Sequence, residues 1–148
     1  MAHARIVALA LLVPLSFAVV RSIPDRIGAQ EKSENKLVGT WKLVSGKYGG
    51  QEFAFPDGST MLKHVTPAQF MWVSFDKDGK VFRAAGGHYA IKGNVYEETP
   101  EYGMSEDFET IKGQAHSFKW RVEGNKWQHD GKLSNGLTIE ELWERVDK

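Results

Sequence analysis

Two stretches of the chain are nearly the same: Ile91-Lys92-Gly93-Asn94-Val95-Tyr96 and Val122-Glu123-Gly124-Asn125-Lys126-Trp127. Each sets a Gly-Asn pair between β-branched and aromatic residues. Such a pair makes a two-residue hairpin loop, because both residues tolerate positive φ. So tight a loop fixes the register, and the register decides which side chains share a face. With Glu123 opposite Lys126, Val122 faces Trp127, Trp120 faces His129 and Phe118 faces Gly131, with His116 further along the same side. Ser117, Lys119, Arg121, Gln128 and Asp130 take the other side, and Lys119 meets Asp130 in an exposed cross-strand pair. The first hairpin puts Ile91 opposite Tyr96 and Tyr89 opposite Glu98. There Glu98 points inward with the aromatic rings, while Glu97 and His88 point out.

Other turns divide the rest of the chain in the same way. Asp76-Lys77-Asp78-Gly79 predicts a type I turn with Gly79 in the left-handed position. A three-residue loop here sets Arg83 opposite Val73, and a four-residue loop sets it opposite Trp72; both stay open. Ser134-Asn135-Gly136 makes the last turn. Strands are therefore expected over 38–47, 60–66, 69–75, 80–91, 95–102, 115–123, 126–131 and 137–146, with a bend at Gly86-Gly87. Only 103–112 departs from this pattern, as a short helix or a loop over one end. The fold class is all-β. Hairpin after hairpin favours an eight-stranded up-and-down antiparallel barrel over a two-sheet sandwich.

The N-terminus reads differently. Residues 6–20 form an uncharged, mostly apolar run after Arg5. It is shorter than the roughly 20 residues of a membrane-spanning helix and fits the hydrophobic region of an export signal. Residues 1–29 are thus expected to be a signal peptide or an N-terminal anchor, and 30–148 the barrel domain. Cleavage after Ala29 and cleavage after Ala18 both remain open. Once the signal is removed, a secreted or periplasmic protein without stable membrane insertion is expected. The absence of cysteine removes disulfides, thiolate metal sites, a cysteine nucleophile and a lipidated cysteine. Zero formal net charge gives no field that would steer the chain to nucleic acid.

The run Val38-Gly39-Thr40-Trp41-Lys42-Leu43-Val44-Ser45 resembles the Gly-x-Trp opening of lipocalins and fatty-acid-binding proteins, the calycin superfamily. Over about 37–146 the chain is similar to small secreted bacterial lipocalin-like domains of uncharacterised function. The resemblance implies that Gly39 and Trp41 open the first barrel strand. It also implies that Trp41 packs at the closed end against Arg145, in Leu142-Trp143-Glu144-Arg145-Val146. An arginine can stack on an indole and satisfy carbonyls at a strand end. Two departures from the fatty-acid-binding pattern stand out. The connection through Gly49-Gly50 and Pro56-Asp57-Gly58 leaves no room for a helical lid. Glu141 occupies the place of the arginine that grips a fatty-acid carboxylate there.

A small apolar or aromatic ligand inside the barrel is the expected function. The expected lining is Trp72, Tyr89, Tyr96, Glu98, His116, Phe118, Trp120, Trp127, His129, Glu141 and Trp143. Glu98 and Glu141 would then favour a cation or a hydrogen-bond donor, unless they pair with Arg83 or lie at a wet mouth. No His-x-His or His-x-x-x-His brings imidazoles onto one surface, so no metal and no cofactor are expected. No nucleophile motif, phosphate loop or acid–base dyad appears. Catalysis through inward His and Glu is therefore the lesser alternative, beside an envelope structural module with a filled interior.

Overall fold

The computed structural model describes residues 35–105 and 108–146. The export segment read at 1–29 lies outside the described residues. The strands are β1 (Gly39–Tyr48), β2 (Gln51–Glu52), β3 (Thr60–Val65), β4 (Gln69–Phe75), β5 (Val81–Lys92), β6 (Val95–Met104), β7 (His116–Glu123), β8 (Lys126–Lys132) and β9 (Thr138–Arg145). A four-residue helix, α1 (Phe108–Ile111), lies between β6 and β7. Each long strand pairs antiparallel with the next, and β9 returns to pair with β1, from Trp41↔Arg145 to Tyr48↔Ile139. That last pairing closes an eight-stranded barrel and rules out the sandwich. β2 is a two-residue appendage on the end of β1.

Both Gly-Asn hairpins have the expected register, with Lys92↔Val95 and Tyr89↔Glu98 in one and Glu123↔Lys126 and Trp120↔His129 in the other. Only the glycine of each loop takes positive φ, 62° at Gly93 and 58° at Gly124. This is the sign pattern of a type II′ rather than a type I′ loop.

Arg83 departs from both expected registers. Gly79 N–H donates to Asp76 O at 3.0 Å and Asp76 N–H to Lys80 O at 3.0 Å, which makes a three-residue loop. Beyond it Phe75 pairs with Val81, but Ser74 pairs with Arg83. Phe82 is left over as a bulge. Because alternate residues face opposite sides, the extra residue changes the face on which Arg83 lies. Ser74 is buried and Val73 is not, so the bulge turns Arg83 into the barrel. A second bulge on β6 sets Gly86 opposite Tyr102 and Gly87 opposite Pro100, leaving Glu101 over. Strand backbones crowd there: a Cβ on Gly87 would overlap the Thr99 carbonyl oxygen.

At the closed end, Trp41 is fully buried and its indole N–H donates to Leu37 O at 2.8 Å. The Arg145 guanidinium stacks 4.1 Å from the centre of that ring and donates to Val38 O and Lys36 O at 2.8 and 2.6 Å. Trp127 meets Trp41 edge-on at 5.5 Å and stacks on Trp143 at 6.1 Å. Trp41→Ala should lower unfolding free energy by about 3–5 kcal/mol, the usual loss for a large buried aromatic. Urea denaturation measures this directly, and a variant as stable as the wild type would remove Trp41 from the anchoring role.

Candidate functional site

The interior above this aromatic floor holds charges. Lys63 is 2% exposed and Glu98 6%, and the ammonium lies 2.8 Å from Glu98 Oε1. The Tyr96 hydroxyl donates to the same oxygen at 2.6 Å. Lys63 Nζ also sits 5.1 Å from the Trp127 ring centre and 4.9 Å from that of Trp143. These are cation–π distances.

A second carboxylate, Glu141, accepts from three donors. They are His129 Nε2 at 2.5 Å, the Tyr48 hydroxyl at 2.5 Å and Trp143 Nε1 at 3.0 Å. His129 is 1% exposed and stacks on Phe118 at 4.7 Å. Its Nδ1 is buried and has no hydrogen-bond partner. Facing a carboxylate, Nε2 carries the hydrogen.

Burial pushes the Tyr48 hydroxyl far up, and the charge and hydrogen bond of Glu141 add to the shift. Burial likewise holds Tyr96 protonated, reinforced by Glu98. For Glu141, burial pushes the carboxyl up. The charge and hydrogen bond of His129, with Lys63 and the Tyr48 hydroxyl, outweigh burial and bring it down to about 2.

A cavity of about 140 Å³ opens beyond these pairs. Met61, Trp72, Phe118, Leu137 and Ile139 form apolar walls, and Tyr48, Lys63, Arg83, Glu98, His129 and Glu141 are its polar groups. Ser105 and Ile111 from the α1 region and Leu133 and Asn135 from the β8–β9 turn rim it. His116 ties these two covers together. Its Nδ1 accepts from Ser134 N–H at 3.1 Å, which leaves Nε2, 3.4 Å from Ile111 O, as the protonated nitrogen. A larger depression of 360 Å³ lies on the outside of the barrel, between β1, Phe53, Phe55 and Leu142, and opens to solvent.

Of the residues expected to line a site, Trp72, Glu98, His116, Phe118, His129 and Glu141 border this cavity. Tyr96, Trp127 and Trp143 are wholly buried beneath it. Tyr89 sits toward the closed end, where its hydroxyl accepts from Asn35 and donates to Thr66 O. Trp120 packs half-buried against the core and borders a surface recess with Arg121 and Gln128.

Lys63 and Tyr48 were not expected at the site. The signal for Lys63 was the alternation Met61-x-Lys63-x-Val65, but Leu62 and Val73 make the other face of that strand pair apolar too. Among the described residues, no three of His, Asp and Glu gather closely enough to hold a metal ion.

No family model and no curated protein sequence matches the chain. Among solved structures, a lipocalin-like protein from Bacteroides uniformis ATCC 8492 is similar at a TM-score of 0.52 and 14% identity, over 74% of this chain and 98% of that one. A redesigned β-barrel follows at 0.48 and 16% identity, over 75% and 92%. Fatty-acid-binding protein 1 of Echinococcus granulosus follows at 0.43 and 14%, over 75% and 98%. The last two scores carry no argument. The first, with the closed eight-stranded sheet, shows a lipocalin-like barrel fold.

The Glu141 pairing has a consequence for acid stability. In the unfolded chain this carboxyl titrates near 4.5, and in the folded protein near about 2. Between those values the unfolded chain binds more protons, so stability falls as pH drops through the window. At about 1.4 kcal/mol per unit, the loss is on the order of 3 kcal/mol. Urea midpoints between pH 5 and pH 3 should fall less steeply in Glu141→Gln than in the wild type. Equal slopes would mean that Glu141 is not held ionised.

Proposed function

We propose that the protein is a binding or carrier protein that holds one compact, mostly apolar molecule inside its barrel. The observation that carries this reading is the cavity at the open end. It is walled by Met61, Trp72, Phe118, Leu137 and Ile139 and bordered by polar groups that are already oriented. Pockets of this make-up fix a ligand through a few placed polar groups. Size narrows the ligand further: an apolar cavity of about 150 Å³ takes up benzene, and this one measures about 140 Å³. A single ring fits that volume and a long acyl chain does not.

Internal pairing supports holding over chemistry. Both carboxylates accept from internal donors, and burial, first among the causes, keeps Tyr48 and Tyr96 protonated.

Titration with indole, benzyl alcohol and palmitate, followed by tryptophan fluorescence and native mass spectrometry, tests the reading. The ring-sized compounds should bind at one per chain and palmitate should not. No binding by any of the three would leave the structural-module alternative.

Export belongs to the same proposal, supported by the apolar run at 6–20. The full chain expressed in a bacterial host should be recovered outside the cytoplasm, with an N-terminus at or before Gln30. An intact Met1 in the cytoplasmic fraction would overturn a secreted or periplasmic location.

A further inference from the structure

Among the described residues, not all charges at the cavity have partners. Lys63 is matched by Glu98 at 2.8 Å, and Glu141 by His129 at 2.5 Å with two further donors. Both carboxylates that the sequence offered to a cationic ligand are therefore already engaged. Arg83 is different. It reaches the cavity because of the bulge at Phe82, and its guanidinium lies 5.7 Å from the centre of the Trp72 ring. Among the described residues it meets no carboxylate and makes no hydrogen bond.

A guanidinium carries five N–H donors in a planar fork, and it is always charged. Half-buried at the mouth and within cation–π reach of the Trp72 indole, its donor edge meets no acceptor among the described residues. The apolar walls adjoin it on the cavity side. A ligand that fills the volume and satisfies the fork needs a flat apolar body and two acceptor oxygens on one end.

We infer that the cavity is a site for a small aromatic monoanion, its ring between Trp72 and Phe118 and its carboxylate paired with Arg83. This rests on the binding function proposed above and adds the charge of the ligand to it. The choice follows from desolvation. An anion entering this interior loses its water and must be matched by a cation that has no other partner. Lys63 cannot serve without stripping Glu98. Arg83 can, through two parallel charge-assisted hydrogen bonds. A cationic ligand, by contrast, would meet the Arg83 charge with both carboxylates already occupied.

Three probes of nearly equal shape separate the possibilities: benzoate, benzyl alcohol and benzylamine, titrated calorimetrically into the full-length protein at pH 7.5 and low salt. Benzoate should bind about tenfold or more tightly than benzyl alcohol, as expected for a charge-assisted pair, and benzylamine least. Arg83→Gln should weaken benzoate by about the same factor and benzyl alcohol by much less, so that the preference for benzoate is lost, while Arg83→Lys should fall between. Equal affinity for benzoate and benzyl alcohol in the wild type overturns the inference, as does an Arg83→Gln protein that keeps full benzoate affinity. If benzyl alcohol binds and benzoate does not, the binding function stands and the anion site fails. If none of the three binds, both fail. Should Arg83→Gln not fold, the ranking of the three probes on the wild type still decides.

Discussion

The pairing of β1 with β9 is the constraint on which everything else depends. It joins the first and last long strands of the described chain and leaves no open edge among the eight. Closure also fixes how much space there is inside. Eight strands enclose little more than their own inward side chains, with room at most for one small ligand. Here three tryptophans, Trp41, Trp127 and Trp143, take up the closed half. The space left over lies at the other end, and its size follows from how much the rings have taken.

What occupies the middle is not explained by stability. Replacing a buried ion pair with apolar groups of similar volume is often neutral or stabilising, whereas removing one partner costs about 3–5 kcal/mol. Lys63 with Glu98, and His129 with Glu141, are therefore groups that the fold tolerates only as pairs. Their effect is geometric. Glu98 is held by an ammonium and a phenol, and Glu141 by an imidazole, a phenol and an indole. Each carboxylate at the cavity floor is thus locked to at least one side chain from another strand, so the wall has its shape before any ligand arrives.

Much of the fold was legible because its turns are short. Gly93-Asn94 and Gly124-Asn125 set the two hairpins, and from them alternation placed Glu98, Phe118, Trp127 and His129 on one side. The bounds of β4 could be read directly from its sequence. The site was less legible, for two physical reasons. Cross-strand partners that are distant in sequence leave no local trace: nothing near Glu98 points to Lys63, and nothing near Glu141 points to Tyr48. Depth along the strand matters as well. Tyr89 and Trp120 share the inward side with Glu98 and Phe118, yet they lie away from the cavity, because alternation gives the face and not the height.

The bulge at Phe82 bears on heredity as much as on geometry. It works like a frameshift confined to one place: the residues on either side keep their identities, but which of them is displayed to the interior is reset. With an uninterrupted ladder after the same loop, Phe82 would face Ser74 and Arg83 would face Val73, giving the mouth a phenyl ring in place of a cation. The chemistry offered to a ligand is thus written partly in the spacing of the chain. Two relatives with the same residues at the mouth can differ in what they accept if one of them carries the extra residue elsewhere. Conversely, an insertion or loss at this single point can change selectivity without altering any residue that a column-by-column comparison would mark as part of the site.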